Sequence, residues 1–297
     1  MRRFFALALV WLVVAAALPA RAEPRAFEVR GGQVVITVTL KGQALPALLD
    51  TGATRSLIDV GLARELGIRT QRMRNGGTFG AAGSSVQFGW TTPLAVDFGA
   101  GATTRSLGTY KSEHAFAPEG VRMLIGMDLL DDLAVSLDFA TMMADFQRLS
   151  DFKPPEGEPL KLTQSGWHRP TLPVWIAGME ADLLIDTAAS SALHLDAAFV
   201  AKTPSLSSLP TSRRTVTGID GVREHDVVVV PCVSFGDHAF ANVRASSGPF
   251  VMTRWSNNVD GVLGVGLLKH FKAVIDFGYN RLWLTPNTET DSRSCPD

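Results

Sequence analysis

The chain has 297 residues, of which 46% are hydrophobic and 19% are charged, and its 28 basic and 29 acidic side chains nearly cancel. This composition excludes disordered and fibrous proteins, and the balanced charge gives no electrostatic reason to bind nucleic acid. At about 100 to 200 residues per domain, the length indicates two globular domains that each bury a core without metal or disulfide staples.

The first 22 residues have the pattern of a secretory signal peptide. Arg2 and Arg3 precede an uncharged apolar run at residues 4–18, and Ala20-Arg21-Ala22 is a small-x-small cleavage site. A membrane anchor is the alternative, but the apolar run is shorter than the roughly 20 residues that a spanning helix needs. We therefore expect cleavage after Ala22, a periplasmic or secreted protein, and no membrane association after cleavage.

The two cysteines, Cys232 and Cys295, both lie in the second half of the chain. In an oxidising compartment they could form one disulfide that ties the C-terminal tail to the body of the protein. A pair of unlinked thiols is the alternative, and the sequence leaves both open.

The chain contains an internal repeat. Residues 38–57 align with residues 174–193 at an offset of 136, each reading as strand, Gly turn, strand and Asp-Thr loop. A second block, Leu124-Ile125-Gly126, aligns with Val262-Leu263-Gly264 at an offset of 138. Two blocks in the same order at nearly one offset indicate two related lobes.

The predicted elements of each lobe are mainly short strands, because the apolar runs are short, rich in β-branched and aromatic residues, and separated by turn residues. Short helices are expected at residues 60–66 after Asp59 and at residues 197–202 after Asp196. Single helical turns are expected near residues 127–132 and 266–270.

A Pro-rich polar stretch at residues 153–159 separates the two lobes. The sequence therefore predicts an N-terminal lobe at residues 23–150, a linker at 151–165 and a C-terminal lobe at 166–297.

Each lobe carries an aspartate directly after an apolar strand, in Asp50-Thr51-Gly52-Ala53 and in Asp186-Thr187-Ala188-Ala189, and each loop precedes one of the apolar-apolar-Gly strands. In this ordered combination the chain resembles the pepsin/retropepsin family of aspartic proteases, and the Ala after Asp-Thr-Gly resembles the retroviral branch. The resemblance implies an all-β, two-lobed acid-protease fold with pseudo-twofold related lobes and a few short helices. Asp50 and Asp186 would face each other across a peptide cleft.

The resemblance also implies a mechanism. Two carboxylates at close range cannot both ionise, so they share one proton; one acts as a base toward a bound water and the other as an acid toward the peptide carbonyl. Thr51 and Thr187 would hydrogen-bond to the opposite loop and, with Gly52 and Ala188, support the dyad. This chemistry needs no metal and no cofactor.

By the same resemblance, a peptide or protein substrate is the expected partner. Its binding residues would be Gly52, Ala188 and the loop Gly80-Ala81-Ala82-Gly83, which would close over the substrate as a flap. Because both Asp loops are on one chain, we expect a monomer.

Ala188 departs from the family pattern, which has Gly at this position. Its methyl group is expected where the substrate backbone should pass, and Ala adopts positive φ less readily than Gly. The sequence therefore supports two functions: an exported aspartic endopeptidase, and a catalytically inactive relative that binds a peptide or protein in the same cleft.

Ala53 and Ala189 stand where pepsin-like loops have a hydroxyl residue that can donate a hydrogen bond to the ionised carboxylate. With fewer donors to the charged form, the pKa values of the dyad should be higher than in pepsin. We therefore expect activity to extend to milder pH.

Overall fold

The computed structural model describes residues 23–79, 85–111, 116–166, 168–218, 221–248 and 259–287, together with Cys295. The predicted signal peptide at residues 1–22 and the predicted flap tip at residues 80–83 lie outside these ranges.

The described chain is built mainly of β-strands. In chain order they are β1 (Arg25–Ala26), β2 (Glu28–Arg30), β3 (Gln33–Leu40), β4 (Gln43–Leu49), β5 (Leu57–Asp59), β6 (Thr70–Phe79), β7 (Ser85–Thr91), β8 (Leu94–Asp97), β9 (Thr103–Arg105), β10 (Gly108–Tyr110), β11 (Met123–Ile125), β12 (Leu133–Asp138), β13 (Met143–Arg148), β14 (Leu160–Lys161), β15 (Thr163–Ser165), β16 (Arg169–Ile176), β17 (Met179–Asp186), β18 (Leu193–Asp196), β19 (Ser212–Gly218), β20 (Gly221–Phe235), β21 (His238–Gly248), β22 (Gly261–Gly264), β23 (Phe271–Asp276) and β24 (Arg281–Pro286).

Each lobe has its own sheet. The N-terminal sheet runs in the order β6-β7-β10-β5-β11-β4-β3-β8-β9, with β2 paired to β3, and the C-terminal sheet runs β15-β16-β17-β22-β18-β21-β20-β19. In both sheets the strand that leads into an Asp loop pairs in parallel with the apolar-Gly strand of the same lobe, β4 with β11 and β17 with β22. The repeat in the sequence is therefore a repeat in topology.

A third sheet joins the lobes. Its six strands run in the order β1-β13-β12-β23-β24-β14, so three strands from the first half of the chain pair directly with three strands from the second half. At its centre β12 and β23 pair antiparallel, with Ser136 opposite Val274, its own counterpart at the 138-residue offset. The pseudo-twofold axis passes through this pair, and one continuous apolar core extends through both lobes and the shared sheet.

Two of the helices begin where the sequence predicts them. The Asp59 side chain accepts a hydrogen bond from the Leu62 N–H at the start of α1 (Val60–Glu65), and Asp196 accepts from the Ala198 N–H at the start of α3 (Ala197–Lys202). The predicted helical turns are α2 (Met127–Leu130) and α5 (Val265–Leu268), and α4 (Pro204–Ser207) was not predicted. Among the described residues, no helix has the length and apolarity to cross a membrane.

The segment predicted as a linker contains two short strands. β14 pairs Leu160 with Leu282 at an edge of the shared sheet, and β15 pairs Ser165 with Arg169 at an edge of the C-terminal sheet. Edge pairing needs backbone groups and little apolar surface, so the polar composition of this stretch gave no sign of it.

The inner strand of each lobe, β3 or β16, begins directly after a tight turn. Gly31 and Gly32 have φ of 59° and 82°, which is the signature of a two-residue type I′ hairpin turn, and β3 starts at Gln33. In the C-terminal lobe Ser165 pairs with Arg169, His168 has φ of 61°, and β16 starts at Arg169. Gln33 and Arg169 are therefore counterparts at the 136-residue offset.

The structure pairs Cys232 of β20 with Cys295 in a disulfide, with a Cα–Cα distance of 5.3 Å and a sequence separation of 63. The bond fixes Cys295 to the outer part of the C-terminal lobe.

We predict that Cys232→Ser, Cys295→Ser and the double variant are equally destabilised, by up to about 4 kcal/mol from the chain entropy of a loop this long. Denaturant unfolding measures the difference, and reduction of the unmodified protein should reproduce it. A wild-type protein that unfolds identically with and without reductant would contradict the prediction.

Candidate active site

Asp50 and Asp186 are held between two parallel strands in the same way. The Asp50 N–H donates to the Ile125 carbonyl of β11 at 2.9 Å, and Asp186, at the end of β17, pairs with Gly264 of β22. Each carboxylate is therefore positioned by its own strand and by the apolar-Gly strand beside it.

Gly126 and Gly264 allow each Asp loop to fold over its neighbouring strand. A methyl group on Gly126 would lie 2.9 Å from the Ala53 carbonyl oxygen, and one on Gly264 would lie 2.6 Å from that of Ala189. The N–H of the residue after each glycine donates to the same carbonyl, at 2.9 Å in both lobes. The two glycines have a structural role, because no other residue lets the loop come this close.

Thr51 and Thr187 connect the two Asp loops across the lobe boundary. Thr51 Oγ1 donates to the Ile185 carbonyl at 2.6 Å, and Thr187 Oγ1 donates to the Leu49 carbonyl at 2.5 Å. Each hydroxyl also accepts from the other threonine's N–H, at 3.2 and 3.3 Å. Both residues are buried, at 1% and 0% exposure. We call these four hydrogen bonds the threonine lock.

Each carboxylate accepts hydrogen bonds from backbone groups of its own loop. Asp186 Oδ1 accepts from the N–H groups of Ala188 and Ala189 at 2.7 and 3.1 Å. Asp50 is bonded in the same manner to the N–H groups of Gly52 and Ala53. Ala53 and Ala189 have no side-chain hydroxyl to donate, but their backbone N–H groups donate to the carboxylates instead.

Burial in the protein raises the pKa of both carboxyls above the usual range of an aspartic acid. The negative charge of Asp186 raises the pKa of Asp50 further, and the backbone N–H groups oppose the rise by stabilising the charged forms. The pair therefore retains a proton at pH values where an isolated aspartate has lost it.

The two loops differ at Gly52 and Ala188. A methyl group on Gly52 would lie 2.7 Å from Oδ2 of Asp186, so this position has room for hydrogen only. The methyl group of Ala188 packs against an apolar cluster beside β4 that includes Val35 and Leu48. Neither position has a positive φ, so the backbone strain expected for an alanine at 188 does not arise.

Arg169 is a site residue that sequence reasoning missed. Its side chain is 3% exposed, and its Nε donates to the Gly166 carbonyl at 3.0 Å. Burial lowers the pKa of the guanidinium to about 10, so it stays positively charged at neutral pH, and its charge lowers the pKa of both Asp50 and Asp186. The sequence feature that could have identified Arg169 is its position in the repeat, where it aligns with Gln33.

His194 and His225, which the sequence shows far apart, are stacked in the C-terminal lobe with ring centroids 4.8 Å apart. The Nδ1 of His194 is 3.0 Å from the Ser246 hydroxyl. Burial lowers the pKa of His194 to about 3, so this ring is neutral at physiological pH. Val262 pairs with both His194 and Leu184, so His194 lies on the sheet face that carries Leu184 and Asp186.

Of the residues predicted to bind substrate, Gly52 and Ala188 lie beside the two carboxylates. Residues 80–83 fall outside the described ranges. The strands before and after them, β6 and β7, pair antiparallel up to Phe79 and Ser85.

Two family models match the chain in tandem. The model for the gag-polyprotein aspartyl protease matches residues 36–132, and a second aspartyl protease model matches residues 172–267. Each match includes one Asp-Thr loop together with the apolar-Gly strand of the same lobe.

Among solved structures, the crystal structure of the aspartic proteinase from Irpex lacteus aligns with a TM-score of 0.56 at 13% sequence identity. The alignment covers 92% of this chain and 100% of that one. It confirms the all-β, two-lobed fold expected from the sequence. No curated protein matches the sequence.

The difference between positions 52 and 188 can be tested with a matched pair of variants. Gly52→Ala should lower kcat/KM for peptide hydrolysis by about 100-fold, because the new methyl group must displace the Asp186 carboxylate. Ala188→Gly should leave hydrolysis equal or higher while lowering stability by about 0.5–1 kcal/mol. Equal loss of activity in both variants, with both folded, would show that the methyl group of Ala188 is required and that the asymmetry has another cause.

The raised pKa values also predict how stability depends on pH. A carboxyl whose pKa is higher in the folded state stabilises the fold below its unfolded pKa and loses this contribution as pH rises through the folded pKa. Asp50→Asn removes the loss, so its melting temperature should exceed that of the unmodified protein at pH 7 and approach it at pH 4. Asp151→Asn, on an exposed turn, is the control and should show no such trend. An Asp50→Asn variant that is less stable at pH 7 than at pH 4, relative to wild type, would contradict the sign.

Proposed function

Because the chain belongs to the pepsin/retropepsin-like family of aspartic proteases, we propose that it is an exported endopeptidase that uses water activated between Asp50 and Asp186. The observation that carries the proposal is the threonine lock, which ties the two aspartate loops of different lobes to each other. The raised pKa of both carboxyls supports it, because the chemistry needs one proton shared by the pair.

In the proposed reaction the ionised carboxylate removes a proton from a water molecule, and the water oxygen bonds to the peptide carbonyl carbon. The protonated carboxyl gives its proton to the carbonyl oxygen, which yields a neutral tetrahedral diol. The carboxyl that took the water proton then gives it to the amide nitrogen, and the other carboxylate takes a proton from one diol hydroxyl as the C=O bond re-forms and the C–N bond breaks. The products are a carboxylic acid and an amine, and the pair again holds one proton. No group of the protein besides the two carboxyls takes part in bond making or breaking.

Export is the second part of the proposal. It rests on the N-terminal sequence pattern and is supported by the Cys232–Cys295 disulfide, because such bonds persist in oxidising compartments. We propose a periplasmic or secreted protein that acts as a monomer on peptide or protein substrates, since both Asp loops are on one chain.

A catalytically inactive, peptide-binding relative is the second candidate, and Ala188 is the observation that favours it. Packing of its methyl group against the apolar cluster beside β4 supports the endopeptidase instead, because that contact directs the methyl group toward the protein. Incubation of the purified protein with a denatured protein substrate, followed by mass spectrometry of the products, distinguishes the two. Binding without new chain ends would identify the inactive relative.

We predict that Asp50→Asn and Asp186→Asn each lower kcat/KM by at least about 1,000-fold, because each removes one half of the acid–base pair. Asp138→Asn is the matched control: Asp138 also recurs in the repeat, but its side chain accepts bonds from the N–H groups of a surface turn. It should hydrolyse peptides at the wild-type rate. Substantial hydrolysis by either dyad variant, with circular dichroism unchanged, would remove that aspartate from the mechanism.

Sedimentation of the active protein tests whether the active species is a monomer. Activity should follow the monomeric species at all concentrations. Activity found only in a dimer would contradict a site assembled within one chain.

A further inference from the structure

The residue that begins the strand before each Asp-bearing hairpin differs in chemical type between the two lobes. Gln33 begins β3 and its side-chain amide donates to the Ala188 carbonyl at 2.7 Å and to the Phe116 carbonyl at 3.2 Å. The side chain thus reaches from the N-terminal lobe to the loop that carries Asp186. Its counterpart in the C-terminal lobe is Arg169, which replaces a neutral amide with a cation.

The strand register places Arg169 beside Asp186. β16 and β17 run antiparallel with Thr171 opposite Leu184. Arg169 lies two residues before this pair and Asp186 two residues after it, so both fall on the sheet face that carries Thr171 and Leu184. The Nε bond to the Gly166 carbonyl fixes the base of the guanidinium within the turn before β16.

The charge of Arg169 acts on both carboxylates, and both act on it. Within the described ranges, the charged groups that shift the pKa of Asp50 are Asp186 and Arg169, and the charged group that shifts the pKa of Asp186 is Arg169. The uncharged contributions are burial, which raises both pKa values and is the largest effect, and backbone N–H groups, which lower them. Because Arg169 is buried with the pair, solvent screens their attraction only weakly.

We propose that the Arg169 guanidinium is a built-in counter-ion of the Asp50–Asp186 pair, which keeps the pair singly protonated down to more acid pH than a neutral side chain would. Arg169 takes no part in bond making or breaking. It acts as a positioning residue, because its charge sets the pH range in which the pair holds one proton. The effect on hydrolysis rests on the proposed function, whereas the effect on the carboxyl charge does not.

The sign of the effect is fixed by electrostatics. A cation near the pair stabilises every ionised form, so its removal makes protonation easier and both titration steps occur at higher pH. The acid limb of the pH–rate profile, where the pair gains its second proton, should then move toward neutral pH. The alkaline limb, where the shared proton is lost, should move in the same direction.

Carbon-13 NMR of the Asp50 and Asp186 carboxyl groups, titrated between pH 2 and 9, measures this directly and needs no substrate. In Arg169→Gln, which copies the Gln33 position, both midpoints should move to higher pH. Arg169→Lys keeps a positive charge and should titrate close to wild type. Arg213→Gln, an exposed arginine paired with Glu224, is the matched control and should leave the midpoints unchanged.

A second variant keeps the proposal testable even where Arg169→Gln does not fold. Gln33→Arg adds a guanidinium at the pseudo-symmetric position and should move both midpoints to lower pH. For hydrolysis, kcat/KM of Arg169→Gln on the acid limb should fall at least about tenfold below wild type and recover toward neutral pH.

Midpoints that stay in place in Arg169→Gln, or in Gln33→Arg, would overturn the proposal whatever the activity. A loss of activity that is equal at every pH would also overturn it, because Arg169 would then be a structural residue. If the midpoints move as expected and no variant or wild type hydrolyses peptides, the counter-ion stands and the proposed endopeptidase fails.

Discussion

The threonine lock is the interaction on which the rest of the site depends. The two aspartates belong to different lobes, and a pair of buried carboxyls repels itself once both ionise, so some other interaction must hold the loops together. Thr51 and Thr187 do this with bonds that each begin in one lobe and end in the other. Because both threonines are buried, water does not compete for these bonds, and leaving any one of them unmade would cost the desolvation of its donor or acceptor. The shared sheet and the continuous core support the lock by fixing the lobes on the same pseudo-twofold axis.

Around this symmetric lock the two halves differ, and the differences concentrate at the carboxylates. Gly52 has no room for a methyl group, whereas Ala188 places one against the N-terminal lobe. The Val34 N–H donates across the lobe boundary to the Thr187 carbonyl at 3.0 Å, whereas its counterpart Pro170 has no N–H to donate. The two Asp loops share one geometry, but the residues around them differ, so each carboxylate has its own environment.

The sequence was sufficient to predict the features that repeat. Three features occur once in each lobe: the Asp-Thr loop with Asp50 or Asp186, the apolar-Gly strand, and the helix cap at Asp59 or Asp196. A pattern that recurs at the same spacing is recognisable in the sequence alone. Features that occur once were harder to predict. Arg169 was missed because its burial and its position beside Asp186 follow from strand register, which a single sequence does not show. β14 and β15 lie within the stretch predicted as a linker, and the sequence did not show them because they are edge strands with little apolar surface.

The most direct test of the account is a double-mutant cycle on the lock, with Thr51→Val, Thr187→Val and the double variant compared by denaturant unfolding. If the two hydroxyls act as one unit across the lobe boundary, the coupling energy should be about 1 kcal/mol or more. The stability effects of two substitutions in one buried hydrogen-bond network are not additive. Thr51→Ser and Thr187→Ser keep the hydroxyl and should retain most of the stability. Additivity within about 0.3 kcal/mol would contradict the account, because the two loops would then be held in place independently of each other.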